Sequence, residues 1–306
     1  MKKIRKGFIF IIVHVLFMGV WGALIEIPEK NGFPATLGYV VWAFTMVPAA
    51  IIALKINKWR LQYDRRSILL GCLAGLLGAI GQLVLFLTLK IAPAYLVFPL
   101  LSLTPVVTVL MAVIILKEKT GKLGWIGIGI AILAIFLLSY QPPSGKTVTS
   151  YLWIGLTVIP LMAWGAQGFV MRFANKTMKA ESIFFYMMIS SVLLIPVALL
   201  MTDFSQTINW GLKGPYLAAI IQILNAFGAL FLVYAFRYEK AIIVAPMTTA
   251  LSPVLTVIIS LTIYAVIPHP ITISGILLAI IAALFMGAEE TKIEPEKSEN
   301  LEKAKS

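Results

Sequence analysis

Long apolar segments separated by short polar loops follow one another from residue 7 to residue 288. Each segment is close to the roughly 20 residues that a helix needs to cross the hydrocarbon core of a membrane. The pattern predicts an all-α polytopic membrane protein with ten transmembrane helices, at residues 7–25, 34–54, 67–89, 93–116, 122–140, 150–171, 181–201, 213–236, 241–264 and 270–288. The third and fourth spans are separated only by Lys90, Ala92 and Pro93, where the proline begins the new helix.

The composition excludes several classes of protein. Of 306 residues, 60% are hydrophobic and 12% are charged, whereas soluble domains average about 45–50% apolar and about 25% charged residues. A soluble enzyme, a disordered chain and a secreted disulfide scaffold therefore fit poorly. The single cysteine, Cys72, allows no internal disulfide and no cysteine metal cluster. We expect neither a bound metal nor a cofactor.

The net charge of +12 is a property of the topology. With ten spans, 21 of the 25 Lys and Arg residues fall on one side of the membrane, and the other side holds only Lys30, Lys90, Lys146 and Lys213. Cytoplasmic loops carry the excess of Lys and Arg. The count predicts a multi-pass protein of the cytoplasmic (inner) membrane with both termini in the cytoplasm. Because the positive charge follows the topology, nucleic acid is not an expected partner. Residues 289–306 are expected to form a polar cytoplasmic tail.

The two halves of the chain repeat each other at an offset of 148 residues. Leu103–Val106 then falls on Leu251–Val254, and Gly127–Ile128 falls on Gly275–Ile276. At a slightly different offset, Trp21-Gly22-Ala23 corresponds to Trp164-Gly165-Ala166. Each half holds five spans, an odd number, so the halves must enter the membrane from opposite sides, as in many secondary transporters. We therefore predict two five-helix inverted repeats, at residues 1–148 and 149–288.

Short motifs in the first half resemble a known family. The segments Leu87–Ala94, Leu101–Val106 and Trp125–Gly127, with Glu118, are similar to the A-L-x-x-x-x-A, L-x-P and G-E…W-x-G pattern of the drug/metabolite transporter (DMT) superfamily, in its ten-helix branch of EamA-type transporters. The resemblance implies a secondary transporter of a small organic metabolite or drug-like solute of amino-acid, nucleoside or amphiphile size. It also implies alternating access around a cavity between helices one, three, four, six, eight and nine. Val266–His269 departs from the pattern, because the second repeat has no Gly-Glu there.

Polar and aromatic residues within the spans are the candidate cavity residues, because polar groups are costly in lipid and usually face the bundle interior. The predicted set is His14, Trp21, Trp164, Gln167, Gln222 and Asn225. The amide side chains either bind the solute or join helices, and the same alternatives hold for Gln82. His14 either lines the path or packs against a neighbouring helix. Other tryptophans are expected at the membrane interface or in packing, namely Trp42, Trp125, Trp153 and Trp210.

Two ionisable residues are candidates for coupling to protons. His14 lies mid-span and has an ordinary pKa of about 6.5. Glu26, at the end of the same span, is a titratable gate on the outer side, a solvated helix-end carboxylate or a partner for Lys30. The proline pairs Pro99/Pro105 and Pro246/Pro253 are expected to interrupt helices four and nine and to free backbone carbonyls there. The expected partners are the solute, membrane lipid, and protons or a counter-substrate, with the protein a monomer or homodimer.

Two other classes of membrane protein remain as alternatives. The sequence contains no G-x-x-x-x-G-K-[ST] motif, so this chain carries no ATP motor of that kind. An integral membrane enzyme needs clustered acids or histidines at membrane depth, and six of the 13 acidic residues lie in the tail. A channel needs rings of like charge or a carbonyl filter. We therefore expect a transporter and no enzymatic activity.

Overall fold

The computed structural model describes residues 6–116, 121–138, 140, 151–238, 241–265 and 267–285, and the regular elements in these ranges are helices. In chain order they are α1 (Lys6–Leu24), α2 (Ile27–Lys30), α3 (Ala35–Ile56), α4 (Arg65–Leu89), α5 (Ala94–Leu101), α6 (Thr104–Leu116), α7 (Lys122–Leu138), α8 (Leu152–Thr177), α9 (Ala180–Leu193), α10 (Ile195–Leu200), a π-helical turn (Leu212–Tyr216), α11 (Leu217–Tyr238), α12 (Ala241–Tyr264) and α13 (Pro270–Phe285). The polar tail lies outside the described residues.

The all-α polytopic membrane fold is confirmed. Within the described ranges, seven helices are long and apolar enough to cross a membrane. Three further apolar stretches are shorter, namely Lys122–Leu138, Leu251–Tyr264 within α12, and Pro270–Phe285. Each predicted span has an apolar helix at its position. The number ten stays a prediction, because seven helices of the described ranges meet both the length and the hydropathy expected of a span.

Proline acts differently in the two halves. The predicted fourth span consists of α5 and α6, which are separated at Ser102 and Leu103, between Pro99 and Pro105. In the second half, α12 continues without a break through Pro246 and Pro253. Helix nine is therefore continuous, whereas its prolines predicted an interruption there. A proline removes one hydrogen bond and kinks a helix, but hydroxyl groups and neighbouring helices can satisfy the freed carbonyl, so the helix need not end.

The most extensive helix contacts are made between the halves. Helix α1 packs against α11 and α12 of the second half, and α4 packs against α8 and α9. When the halves are exchanged, α1 corresponds to α8 and α4 to α11, so the α1–α11 and α4–α8 contacts are equivalent. The core of the protein is therefore the interface between the two repeats, which is where inverted-repeat transporters place their sites.

Glycines allow the helices of this interface to approach closely. A Cβ atom on Gly22 of α1 would lie 2.6 Å from Thr256 Oγ1 of α12. A Cβ on Gly71 of α4 would lie 2.8 Å from the Cβ of Tyr186 on α9. Both distances are too short for real carbon atoms, so a larger residue would push the helices apart.

Helix α4 begins at a capped end outside the apolar spans. The Asp64 carboxylate accepts hydrogen bonds from the Ser67 N–H at 3.1 Å and from the Ser67 hydroxyl. These bonds favour the ionised form and hold the pKa of the Asp64 carboxyl below its ordinary value. The cap satisfies one of the backbone donors that the first helical turn leaves without partners.

Candidate functional site

A cavity of about 360 Å³ lies between the two halves. Helices of both repeats contribute to it, including α1, α3, α4, α8, α11 and α12. Its wall is rich in aromatic rings and thioethers, from Trp21, Trp42, Phe98, Trp164, Met18, Met46 and Met187. Among the described residues that line it, none is Asp, Glu, Lys or Arg. The size and the mainly apolar wall are typical of sites for small organic molecules.

Two amide side chains on α11 hold two of the tryptophan rings. The Trp21 Nε1–H donates to Gln222 Oε1 at 2.9 Å, and the Trp42 Nε1–H donates to Asn225 Oδ1 at 2.8 Å. The amides are three residues apart, so they lie on one face of α11 and reach α1 and α3 in turn. The two indoles are therefore oriented by the protein, with their N–H groups already engaged.

His14 lies on α1 beside the same cavity. Its side chain is buried, and Nδ1 is 2.8 Å from the carbonyl oxygen of Gly228 on α11. Because a carbonyl oxygen only accepts, Nδ1 must carry a proton in this contact. The other ring nitrogen, Nε2, is then the atom available to a solute or a proton. The histidine thus both packs against a neighbouring helix and lines the cavity.

Helix α8 contributes Trp164 and Gln167 on the opposite wall. The Trp164 indole N–H donates to the Gly78 carbonyl at 3.2 Å, and the Gln167 amide donates to the Ala74 carbonyl at 2.9 Å. Both bonds end on the backbone of α4, where glycines leave room for the rings and amides. The corresponding tryptophans of the two repeats, Trp21 and Trp164, therefore both border the cavity.

Five of the six predicted cavity residues line this cavity, namely His14, Trp21, Trp164, Gln167 and Asn225. Gln222 is fully buried behind Trp21 and is not part of the lining. Sequence reasoning missed Trp42 and Phe98, which line the cavity, and Trp42 was expected at the interface or in packing. The signal for Trp42 was its mid-span position beside Thr45 in an otherwise apolar helix.

At the end of the bundle opposite the N-terminus, three side chains connect the segment that follows α1 to the end of α12. Glu26 accepts a hydrogen bond from the Tyr264 hydroxyl, and Lys30 Nζ is 3.4 Å from Glu26 Oε2. Lys30 also donates to the Tyr264 hydroxyl and lies 3.8 Å from the centre of the Tyr264 ring. We call Glu26, Lys30 and Tyr264 the latch.

The latch lies beyond the cavity. The cavity lining reaches Trp21 on α1 and Thr256 on α12, whereas Glu26 and Tyr264 are more than one helical turn further along. The Glu26 carboxylate is almost fully buried and also faces the Ala94 N–H at 3.4 Å, at the start of α5. Glu26 is therefore a partner of Lys30, and it sits where α1, α5 and α12 meet.

Comparison with known proteins decides the family. The sequence profile of the EamA-like transporter family matches residues 5–140 and again residues 151–288. The chain belongs to the EamA-like transporter family. The membership confirms the resemblance to the DMT superfamily that the motifs suggested, and it covers both halves of this EamA-like protein.

Two curated proteins and one solved structure are similar to this EamA-like protein. Protein LicB of Haemophilus influenzae is 26% identical over 207 residues, which are 65% of this chain and 70% of LicB. A probable magnesium transporter of Candida albicans is 35% identical over only 72 residues, which are 23% of this chain and 20% of that protein. The crystal structure of another protein is similar over 90% of this chain and 94% of the other chain, with a TM-score of 0.59 and 14% sequence identity. This similarity shows a shared fold.

Proposed function

We propose that this EamA-like protein is a secondary transporter that moves a small organic solute across the membrane by alternating access. The observation that carries the proposal is a cavity lined by helices of both repeats, with an ion-paired latch beyond one of its ends. Two repeats that pack mainly on each other can rock around a site between them and expose it to each side in turn.

The proposed solute has the size of an amino acid, a nucleoside or a small amphiphile. The cavity volume of about 360 Å³ suits such molecules. The wall presents aromatic faces and amide or hydroxyl groups but no charged side chain among its described residues. Strongly anionic solutes such as phosphate esters fit this wall poorly, because they need cationic partners.

The proposed location is the inner membrane, with both termini in the cytoplasm. The orientation is based on the 21 to 4 division of basic residues between the two sides. The latch then lies on the outer side, and the structure corresponds to a state that is closed to the outside. In a Cys72→Ser background, cysteines at positions 146 and 213 should react with an impermeant maleimide in intact cells. Cysteines at positions 61 and 176 should not react, and the reverse pattern contradicts the orientation.

Coupling to protons is proposed to involve His14 first and Glu26 second. His14 borders the cavity, so a solute and a proton could reach it from the same space. Glu26 is held by Lys30 and Tyr264, so its protonation would loosen the latch. Exchange against a counter-substrate needs neither group. It is the alternative that would be favoured if a pH gradient drove no accumulation of the solute.

The proposal is tested by counterflow in proteoliposomes that contain the purified full chain. Labelled adenosine, L-leucine and tetraphenylphosphonium represent the three solute classes. Vesicles preloaded with an unlabelled transported solute should accumulate its labelled form transiently without chemical change, and single-channel currents in place of counterflow would make the protein a channel. Conversion of the solute into another compound would make it an enzyme.

Variants then locate the path. Trp21→Ala and Trp164→Ala should reduce counterflow strongly, because each removes a wall of the cavity. Trp125→Ala is the matched control, since the Trp125 side chain is 56% exposed at the bundle surface. Equal transport by all three variants would place the path elsewhere.

A further inference from the structure

The polar groups around the cavity differ in whether they already have a hydrogen-bond partner. The indole N–H groups of Trp21, Trp42 and Trp164 all donate to oxygen atoms of the protein. An indole has a single N–H and no acceptor. These three rings can therefore offer a solute only their faces and edges.

Most other donors of the wall are engaged in the same way. The hydroxyls of Ser102, Ser191 and Thr256 donate to backbone carbonyls at 2.7, 2.8 and 3.1 Å. The amide nitrogen of Gln167 donates to the backbone of α4. A solute that entered this part of the cavity would have to compete for these donors with a protein acceptor that is already in place.

Gln82 on α4 and Ser252 on α12 are the exceptions. Both line the cavity, and their side chains are only 3% and 8% exposed. Gln82 Nε2 and Ser252 Oγ have no hydrogen-bond partner in the part of the chain that the structure describes. Buried polar atoms without partners are few in native proteins, because each loses its bonds to water and gains none in return. Both residues belong to the lining of one cavity, so a solute bound there would supply the missing partner.

We propose that Gln82 and Ser252 recognise the solute through a polar edge that carries a hydrogen-bond donor beside an acceptor. The proposal rests on the transport function proposed above and narrows its substrate class. A glutamine amide offers two N–H donors and a carbonyl acceptor in one plane, so it pairs with a carboxamide or with the edge of a nucleobase. The indole rings, whose N–H groups are bonded to the protein, offer flat faces on which the ring of such a solute can stack.

The two residues also belong to different repeats. Gln82 lies on a helix of the first half and Ser252 on a helix of the second. A solute bonded to both would bridge the interface that has to rearrange during alternating access. Planar heteroaromatic solutes such as adenosine and nicotinamide are therefore expected to be transported, and tetraphenylphosphonium, which has no hydrogen-bonding group, is expected to be independent of both residues.

The first test needs no substrate. Gln82→Met replaces an amide without a partner and should leave the thermal midpoint of the purified protein unchanged or raise it, because no hydrogen bond is lost. Gln167→Met is the matched control and should lower the midpoint, because it leaves the Ala74 carbonyl without its donor. If Gln82→Met lowers the midpoint as much as Gln167→Met does, Gln82 is a structural residue and the proposal is wrong.

The second test uses counterflow of labelled adenosine and nicotinamide in proteoliposomes of the full chain. Gln82→Met and Ser252→Ala should each raise the half-saturating concentration about tenfold or more, as expected for a lost hydrogen bond to the solute. Ser190→Ala is the control, since Ser190 is buried outside the cavity lining and donates to the Cys72 carbonyl at 3.3 Å. It should transport like the unaltered protein.

The outcomes separate this proposal from the function on which it rests. If the unaltered protein exchanges adenosine or nicotinamide and both variants do so with unchanged half-saturation, the roles of Gln82 and Ser252 are wrong and transport stands. If it exchanges only L-leucine or tetraphenylphosphonium, the substrate class is wrong and transport again stands. If it exchanges no solute of the panel, the proposed function and this inference fall together.

Discussion

The latch offers a direct test of the proposed alternating access, in which it would hold the state that is closed to the outside. Tyr264→Phe removes one hydroxyl, which donates to the buried Glu26 carboxylate and accepts from Lys30. The phenylalanine ring keeps the contact with the Lys30 ammonium, which lies 3.8 Å from the ring centre. The substitution therefore isolates the hydroxyl and leaves the packing of α12 in place.

The magnitude follows from the bonds that are lost. A hydrogen bond to a charged group contributes about 1.5–3 kcal/mol. The Glu26–Lys30 pair remains at 3.4 Å and keeps the buried carboxylate next to a cation, so the substitution removes only the contribution of the hydroxyl. Loss of the hydroxyl should therefore shift the equilibrium between closed and open by about ten- to a hundredfold towards open.

Alkylation of a cavity cysteine measures this shift. In a Cys72→Ser background, Ala79→Cys places a small thiol in the cavity wall, and an impermeant maleimide is added to intact cells. Tyr264→Phe should speed the labelling by at least about tenfold, in line with the population shift. Tyr95→Phe is the control, because Tyr95 packs edge-on against Tyr264 but does not donate to Glu26. Equal labelling rates in the unaltered latch and in Tyr264→Phe would refute a gating role.

Three further predictions concern coupling, packing and pH. His14→Gln should abolish accumulation driven by a pH gradient and leave solute exchange measurable in proteoliposomes; unchanged accumulation removes His14 from coupling. Gly71→Ala should destabilise the protein by about 1–3 kcal/mol through overpacking against Tyr186. Gly129→Ala should be neutral or slightly stabilising in thermal unfolding, because an added Cβ would meet no atom of a neighbouring helix within 4 Å. Asp64→Ala should lower the thermal midpoint at neutral pH. The difference should shrink as the pH falls from the ordinary pKa of an aspartate through the lowered pKa of Asp64, where the capping carboxylate becomes protonated; a difference that is constant over this range contradicts the cap.

The membrane helices were predictable because each must be apolar over most of its length, and this requirement is local. Their internal breaks were less accessible. The fourth span divides into α5 and α6 beside Pro99 and Pro105, but α12 accommodates two prolines without a break. Whether a proline ends a helix depends on which neighbouring groups satisfy the freed carbonyl, and the sequence does not contain that arrangement in readable form.

The cavity residues were predictable as a class and not individually. A polar residue inside a span turns towards other helices, which applied to His14, Gln167 and Asn225. This rule did not distinguish Asn225 from Gln222, which lies three residues earlier on the same helix. Asn225 borders the cavity, whereas Gln222 lies behind the Trp21 indole. Likewise, Trp42 resembles an interfacial tryptophan until its partner on α11 is known. Those differences depend on how the two halves pack together.

That packing also has a consequence for biosynthesis. The principal partners of α1 and α4 belong to the second half, so these helices leave the ribosome before the surfaces that will cover them have been made. His14 and Trp21 then reside in lipid or in the insertion machinery until α11 supplies Gly228 and Gln222. A chain that stopped between the repeats would therefore leave these polar groups in the membrane without their partners.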